Sequence, residues 1–112
     1  MKNCSWWVAA LALFPSQTAV AQSRPTAVLK KAAVVCRSLP SVERASALAF
    51  QGDFLAFETL LNRFKIAGEC AVVAEEQPVF VMRRQGDYAL VRTPGDPDEN
   101  WVHAINFKRP TP

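Results

Sequence analysis

The sequence predicts an α+β fold in which two N-terminal helices pack on a small, mostly antiparallel sheet. Up to about residue 66, apolar residues recur at spacings of three and four, which is the helical period. From residue 70 onward, short β-rich runs alternate with turn residues. The chain of 112 residues is long enough for one domain with a modest core and too short for two.

Residues 1–21 have the pattern of a cleaved export signal. Lys2 gives a positive start, residues 6–14 are apolar, and Ala19-Val20-Ala21 offers small side chains before Gln22. A membrane anchor is the alternative, but a spanning helix needs about 20 apolar residues, and residues 15–18 interrupt this stretch. We therefore expect an exported protein, periplasmic or extracellular, with no membrane span after signal cleavage.

The rest of the chain divides into a flexible lead-in over residues 22–31, a single α+β domain over 32–109 and a tail over 110–112. Paired valines beside a cysteine favour a strand at 32–36. A helix is predicted over about 40–50, where Ser38 or Ser41 can accept backbone amide bonds at its start, and Gly52 ends it.

A second helix is predicted over 54–66, with Asp53 as its cap and Gly68 after its end. Its apolar side chains fall on one stripe, which we expect to be buried against the sheet. The members of this stripe are Phe54, Phe57, Leu60, Leu61 and Phe64.

Four strands are predicted after the helices. Their approximate bounds are 70–74, 79–84, 88–93 and 101–103. The middle two form a hairpin, since Gln85-Gly86-Asp87 provides a glycine for the left-handed position of a three-residue loop. Both strands of this hairpin carry apolar residues on each face, which is typical of a sheet covered on both sides or a small curled barrel.

Short stretches of this second half resemble the Src-homology-3-like barrels of bacterial exported proteins. They are Val79-Phe80-Val81, the turn Gly86-Asp87, the strand Tyr88-Ala89-Leu90-Val91-Arg92, and Trp101-Val102 followed by Ile105. The resemblance implies a partial Src-homology-3-like barrel that binds a protein, peptide or cell-wall component. It makes Tyr88 and Trp101 candidate ligand contacts, but the favoured interpretation of both residues is a core or barrel-edge aromatic. The first half departs from the pattern, because helices occupy the place of the opening strands.

Cys36 and Cys70 are the cysteines left once the leader is removed. An even pair in a short exported chain predicts a structural disulfide. The alternative of a redox pair or metal ligands is disfavoured, because Cys-x-x-Cys spacing is missing and His103 is the one histidine of the chain.

Little in the sequence points to catalysis, metal or nucleic acid. His103 is the weak candidate for a base, and no nucleophile motif accompanies it. Residues 96–100 alternate like the first ligands of a calcium loop, but the glycine and the final glutamate of such a loop are replaced by Trp101 and Phe107. The net charge of +3 is spread without a long basic run, so we expect no nucleic-acid partner. No cofactor or metal is predicted.

These observations favour a small, exported, disulfide-stabilised binding or envelope-accessory protein that is not an enzyme. Two alternatives stay open. One is a small secreted enzyme or enzyme inhibitor that uses His103 with carboxylates from the 94–100 loop. The other is a toxin-neutralising or host-interaction protein, for which small size and a rigid disulfide suffice.

Overall fold

The computed structural model describes residues 24–109. The predicted export signal over 1–21, its cleavage site and the predicted tail over 110–112 lie outside the described residues.

Six strands, two α-helices and one 3₁₀ helix make up the described chain. In chain order they are β1 (Ala27–Leu29), β2 (Val34–Cys36), α1 (Leu39–Phe50), α2 (Phe54–Ile66), β3 (Cys70–Val72), β4 (Gln77–Gln85), β5 (Tyr88–Arg92), β6 (Glu99–His103) and the 3₁₀ helix (Ala104–Asn106). The strands form an antiparallel half-barrel sheet in the order β1-β4-β5-β6-β2-β3.

The predicted placement of the helices at the N-terminus is wrong, although the α+β class is right. Both helices lie in the middle of the chain, between β2 and β3, and β1 and β2 precede them. The structure also differs from the predicted lead-in, since β1 occupies residues 27–29 of that segment. The sequence did not predict β1, because three residues are too few to show the alternation of apolar and polar side chains that is typical of a strand. The strand is stabilised by partners that lie far along the chain.

Those partners lie on both sides of β1. On one side Ala27 and Leu29 pair with Val79 and Gln77 of β4. On the other side the amide of Lys108 donates to the carbonyl of Val28 at 2.7 Å. The segment after the 3₁₀ helix thus returns to β1, and the two ends of the described chain meet in the sheet.

Alternate residues of β5 and β6 point into two different core clusters, because successive strand side chains face opposite sides of a sheet. The first cluster lies against β1 and contains Leu29, Ala33, Val79, Ala89, Val91 and Val102. The second lies under the helices and contains Cys36, Val42, Leu61, Cys70 and Trp101. The sheet is therefore covered on both faces.

The two helices begin at local caps. The Ser38 hydroxyl accepts from the amide of Ser41 at 3.4 Å, and the Asp53 carboxylate accepts from the amide of Ala56 at 3.2 Å. The expectation that the whole stripe of α2 is core holds for its buried leucines but not for Phe54, which is 65% exposed. Phe54 is the first residue of α2, and the loop at residues 51–53 separates it from the end of α1.

Candidate functional site

An open cavity of about 180 Å³, here called the apolar cleft, lies between α1, α2, β2 and the 3₁₀ helix. One face of α1 forms a wall with Ala45, Ser46 and Ala49, whose small side chains leave the space open. These positions recur at the helical spacing of three and four, so they share a face. Val34 and Phe57 contribute further apolar surface.

Two large apolar side chains stand at the rim of the apolar cleft and remain accessible. Phe50, the last residue of α1, is 59% exposed, and Ile105 in the 3₁₀ helix is 56% exposed. Isolated exposed apolar residues are common on protein surfaces. Here the two flank one concave site, which is the arrangement found where proteins bind apolar groups.

His103 supplies the imidazole of the apolar cleft. Its Nδ1 accepts a hydrogen bond from the amide of Ile105 at 3.0 Å, so in the neutral ring the proton is on Nε2. The rings of Phe50 and Tyr88 approach it edge-on, each with centroids 4.9 Å away. These contacts fix the orientation of the ring and make Nε2–H the donor that it can offer.

The structure does not bring His103 together with the carboxylates of the 94–100 loop, as the enzyme alternative requires. Glu99 and His103 are the two ends of β6, which places them about 13 Å apart at strand spacing. Asp96 and Asp98 line a separate surface depression together with Arg37. The structure therefore gives His103 apolar neighbours and leaves the loop carboxylates at the other end of the strand.

The candidate ligand contacts Trp101 and Tyr88 lie in the core cluster or pack against it. Trp101 is only 7% exposed and belongs to the core cluster that contains the disulfide, with the Arg83 guanidinium 5.2 Å above its ring. Tyr88 is half-buried, packs against the same cluster and holds the ring of His103. Neither residue is among those that line the apolar cleft.

Sequence reasoning missed the cleft residues Phe50 and Ile105. One signal was present: small residues at 45, 46 and 49 make one face of α1 unusually shallow, and a shallow face beside a large terminal apolar residue favours a concavity. The opposite wall could not be found in this way, because residues 103–106 reach the cleft only through the fold.

A second concave surface, here called the basic groove, adjoins the apolar cleft. It consists of two connected depressions of about 430 and 590 Å³ lined by Lys30, Arg84, Lys108 and Arg109. None of the described residues that line it is acidic. Glu76 reaches Nζ of Lys108 from outside at 3.1 Å. Ile105 lines both the apolar cleft and the basic groove, so the two surfaces meet at this residue.

The disulfide does not line either surface and joins the residues just before α1 and just after α2. Cys36 and Cys70 are directly opposite in the β2–β3 register and are bonded to each other, which confirms the predicted disulfide. Next to it, the hydroxyls of Ser38 and Ser41 each donate to Oε2 of Glu69 at 2.7 Å. These two hydrogen bonds lower the pKa of Glu69 from its usual value of 4.5. Together they tie the start of α1 to the residue before β3.

Neither α-helix within residues 24–109 has the length and hydrophobicity that a membrane crossing requires. Over the same residues, histidine, cysteine, aspartate and glutamate side chains do not gather in any group of three or more that could hold a metal ion.

The chain matches no protein-family model, no curated protein and no solved structure.

Proposed function

We propose that this chain is a small exported binding module, not an enzyme, whose apolar cleft holds an apolar group of a protein, peptide or cell-wall partner. The observation that carries the proposal is the cleft itself. Accessible Phe50 and Ile105 flank a cavity that also contains one oriented imidazole. An apolar concavity with a single placed polar group is the usual form of a binding site for a small apolar moiety.

Two features support export. The predicted signal over 1–21 would direct the chain out of the cytoplasm. The Cys36–Cys70 disulfide is a bond that persists in oxidising compartments such as the periplasm or the extracellular space. We therefore propose a periplasmic or extracellular location.

The proposal also includes the resemblance of the second half to exported Src-homology-3-like domains. It is supported by the strand that carries Trp101 and Val102, which leads directly into a short 3₁₀ turn. Ile105, the final apolar residue of the resemblance, lies within that turn. A binding role would agree with this resemblance, but fold alone does not assign it.

Site-specific photo-cross-linking tests the binding role in cells that export the protein. A photoreactive phenylalanine analogue replaces Phe50 at the rim of the apolar cleft, and in a matched variant it replaces Phe80 on β4. We expect a defined partner to be captured from position 50 and not from position 80. The Ala49→Trp variant, which fills the cleft, should abolish that capture. Equal capture from both positions, or capture that survives Ala49→Trp, would contradict the proposal.

A further inference from the structure

The fold gathers four cations from distant parts of the chain into the basic groove. They are Lys30 after β1, Arg84 in β4, and Lys108 and Arg109 after the 3₁₀ helix. Over residues 24–109 the structure has one salt bridge, between Lys108 and Glu76, and both side chains of that pair are about half exposed. The other three cations therefore have no carboxylate partner among the described residues. A concave surface with this charge attracts an anion.

The basic groove and the apolar cleft share a border. Ile105 contributes to the walls of both. Lys30 lines the groove, and its amide donates to the carbonyl of Asn106, which lines the cleft, at 2.8 Å. The turn after β1 and the 3₁₀ helix are thus hydrogen-bonded to each other along this border. A short ligand that is seated in the cleft can reach the groove across it.

The size of the two surfaces favours a peptide. The cleft holds about 180 Å³, which is less than the roughly 300 to 1,000 Å³ of a pocket for a drug-sized ligand. It therefore fits a single apolar side chain. The depressions of the groove hold about 430 and 590 Å³ and have room for several carboxylates.

The lining of the groove disfavours nucleic acid. A nucleic-acid strand binds where aromatic rings are free for its bases to stack on. Among the described residues that line the groove, the one aromatic is Phe107. Phe107 packs against the core, and the Arg84 guanidinium lies 5.4 Å above its ring. This ring already has partners, so the groove offers charge without a stacking platform.

We propose that the basic groove binds an acidic peptide segment whose neighbouring apolar side chain occupies the apolar cleft. The carboxylates of the segment accept hydrogen bonds from the ammonium and guanidinium groups of the groove. Arg84 and Arg109 can each hold a carboxylate through two parallel hydrogen bonds, which positions it more strictly than a lysine does. The inference rests on the proposed binding role of the cleft and adds the chemistry of the partner, which is a polypeptide with acidic residues beside an apolar one.

Fluorescence anisotropy with the purified exported protein and three labelled peptides tests the inference. The leucine peptide has a central leucine flanked by three glutamates on each side. The serine peptide has serine in place of the leucine, and the glutamine peptide has glutamine in place of every glutamate. The leucine peptide should bind most tightly, and high salt should weaken it. The serine peptide should bind about tenfold or more weakly, because a buried leucine is lost. The glutamine peptide should also bind more weakly, and salt should not affect it.

Two double variants that lose the same charge test the groove. Lys30→Gln with Arg109→Gln should weaken binding of the leucine peptide by about threefold or more, since one exposed ion pair contributes up to about fivefold. Arg63→Gln with Lys65→Gln changes the last turn of α2, which lines neither surface, and should alter binding by less than about twofold. Equal losses in the two double variants would overturn the inference, because binding would then depend on net charge alone.

The outcomes separate this inference from the binding role of the cleft. Ala49→Trp should reduce the affinity of the leucine peptide to that of the serine peptide and leave the serine peptide unaffected. If the glutamine peptide bound as tightly as the leucine peptide while the cross-link from position 50 persisted, the acidic partner would be overturned and the cleft role would stand. A cross-link that survives Ala49→Trp would contradict the cleft role, and this inference with it. An oligodeoxynucleotide that binds more tightly than the leucine peptide would overturn the inference in favour of nucleic acid.

Discussion

Loss of the Cys36–Cys70 bond should destabilise this protein more than any single surface change. The bond closes a loop with a sequence separation of 34. In the chain-entropy treatment such a loop restricts the unfolded chain by about 13 cal/mol/K, which is about 4 kcal/mol at 25 °C. Small domains have only about 5 to 15 kcal/mol of stability in total. For a domain of this size the loss corresponds to a fall in Tm of roughly 15 to 30 °C.

Thermal unfolding followed by circular dichroism measures this effect in the Cys36→Ala/Cys70→Ala variant and in the wild type with and without dithiothreitol. The reduced wild type and the variant should melt at nearly the same temperature, and the reductant should not change the variant. Intact mass should also rise by about two units on reduction, since one bond gains two hydrogens. A Tm difference below about 5 °C would refute the reasoning, because the loop would then contribute little.

Three further predictions concern stability. Val79→Ala removes methyl groups from a fully buried position and should lower the free energy of unfolding, measured in urea, by about 2 kcal/mol. Met82 is half-exposed, so Met82→Ala should lower it by less than about 0.5 kcal/mol. Equal losses in the two variants would contradict the assignment of Val79 to the core. Ala32 has a φ of 72°, in the left-handed region, so Ala32→Gly should raise Tm by a few degrees, and a lower Tm would argue against strain there. The lowered pKa of Glu69 means that its stabilisation is complete above pH 4.5 and is lost as the pH falls through the lowered value. The free energy of unfolding of the Glu69→Gln variant should therefore depend less on pH below 4.5 than that of the wild type. An equal dependence on pH in both proteins would show that Glu69 does not cause it.

Local signals were sufficient for the helices. The spacing of Phe57, Leu60 and Leu61 predicts a helix over 54–66, and the structure has α2 at Phe54–Ile66. Asp53 and Gly68 lie next to the ends that they terminate, so the relevant chemistry is contained in a short stretch of sequence. The exposure of Phe54 was not predictable in this way, because burial depends on what the rest of the chain places opposite each side chain.

Long-range pairing explains what sequence reasoning missed. β1 is a strand because Leu29 meets Gln77 and Phe107, far along the chain, and nothing in residues 27–29 alone distinguishes them from a lead-in. The apolar cleft has the same origin. Its α1 wall is visible as small residues in the sequence, but the opposite wall at His103 is set by the register of β6 against β2.

The disulfide also sets how independent the helical pair is from the sheet. β2 ends at Cys36 and β3 begins at Cys70, so the bond closes the neck through which both helices leave and re-enter the sheet. A protease that cuts the turn at residues 51–53 would produce two peptides that stay covalently joined by the disulfide until a reductant breaks it. The same closure holds β2 beside β3 whatever the length of the connection between the two helices, so residues inserted into the turn at 51–53 should leave the register of the two strands unchanged.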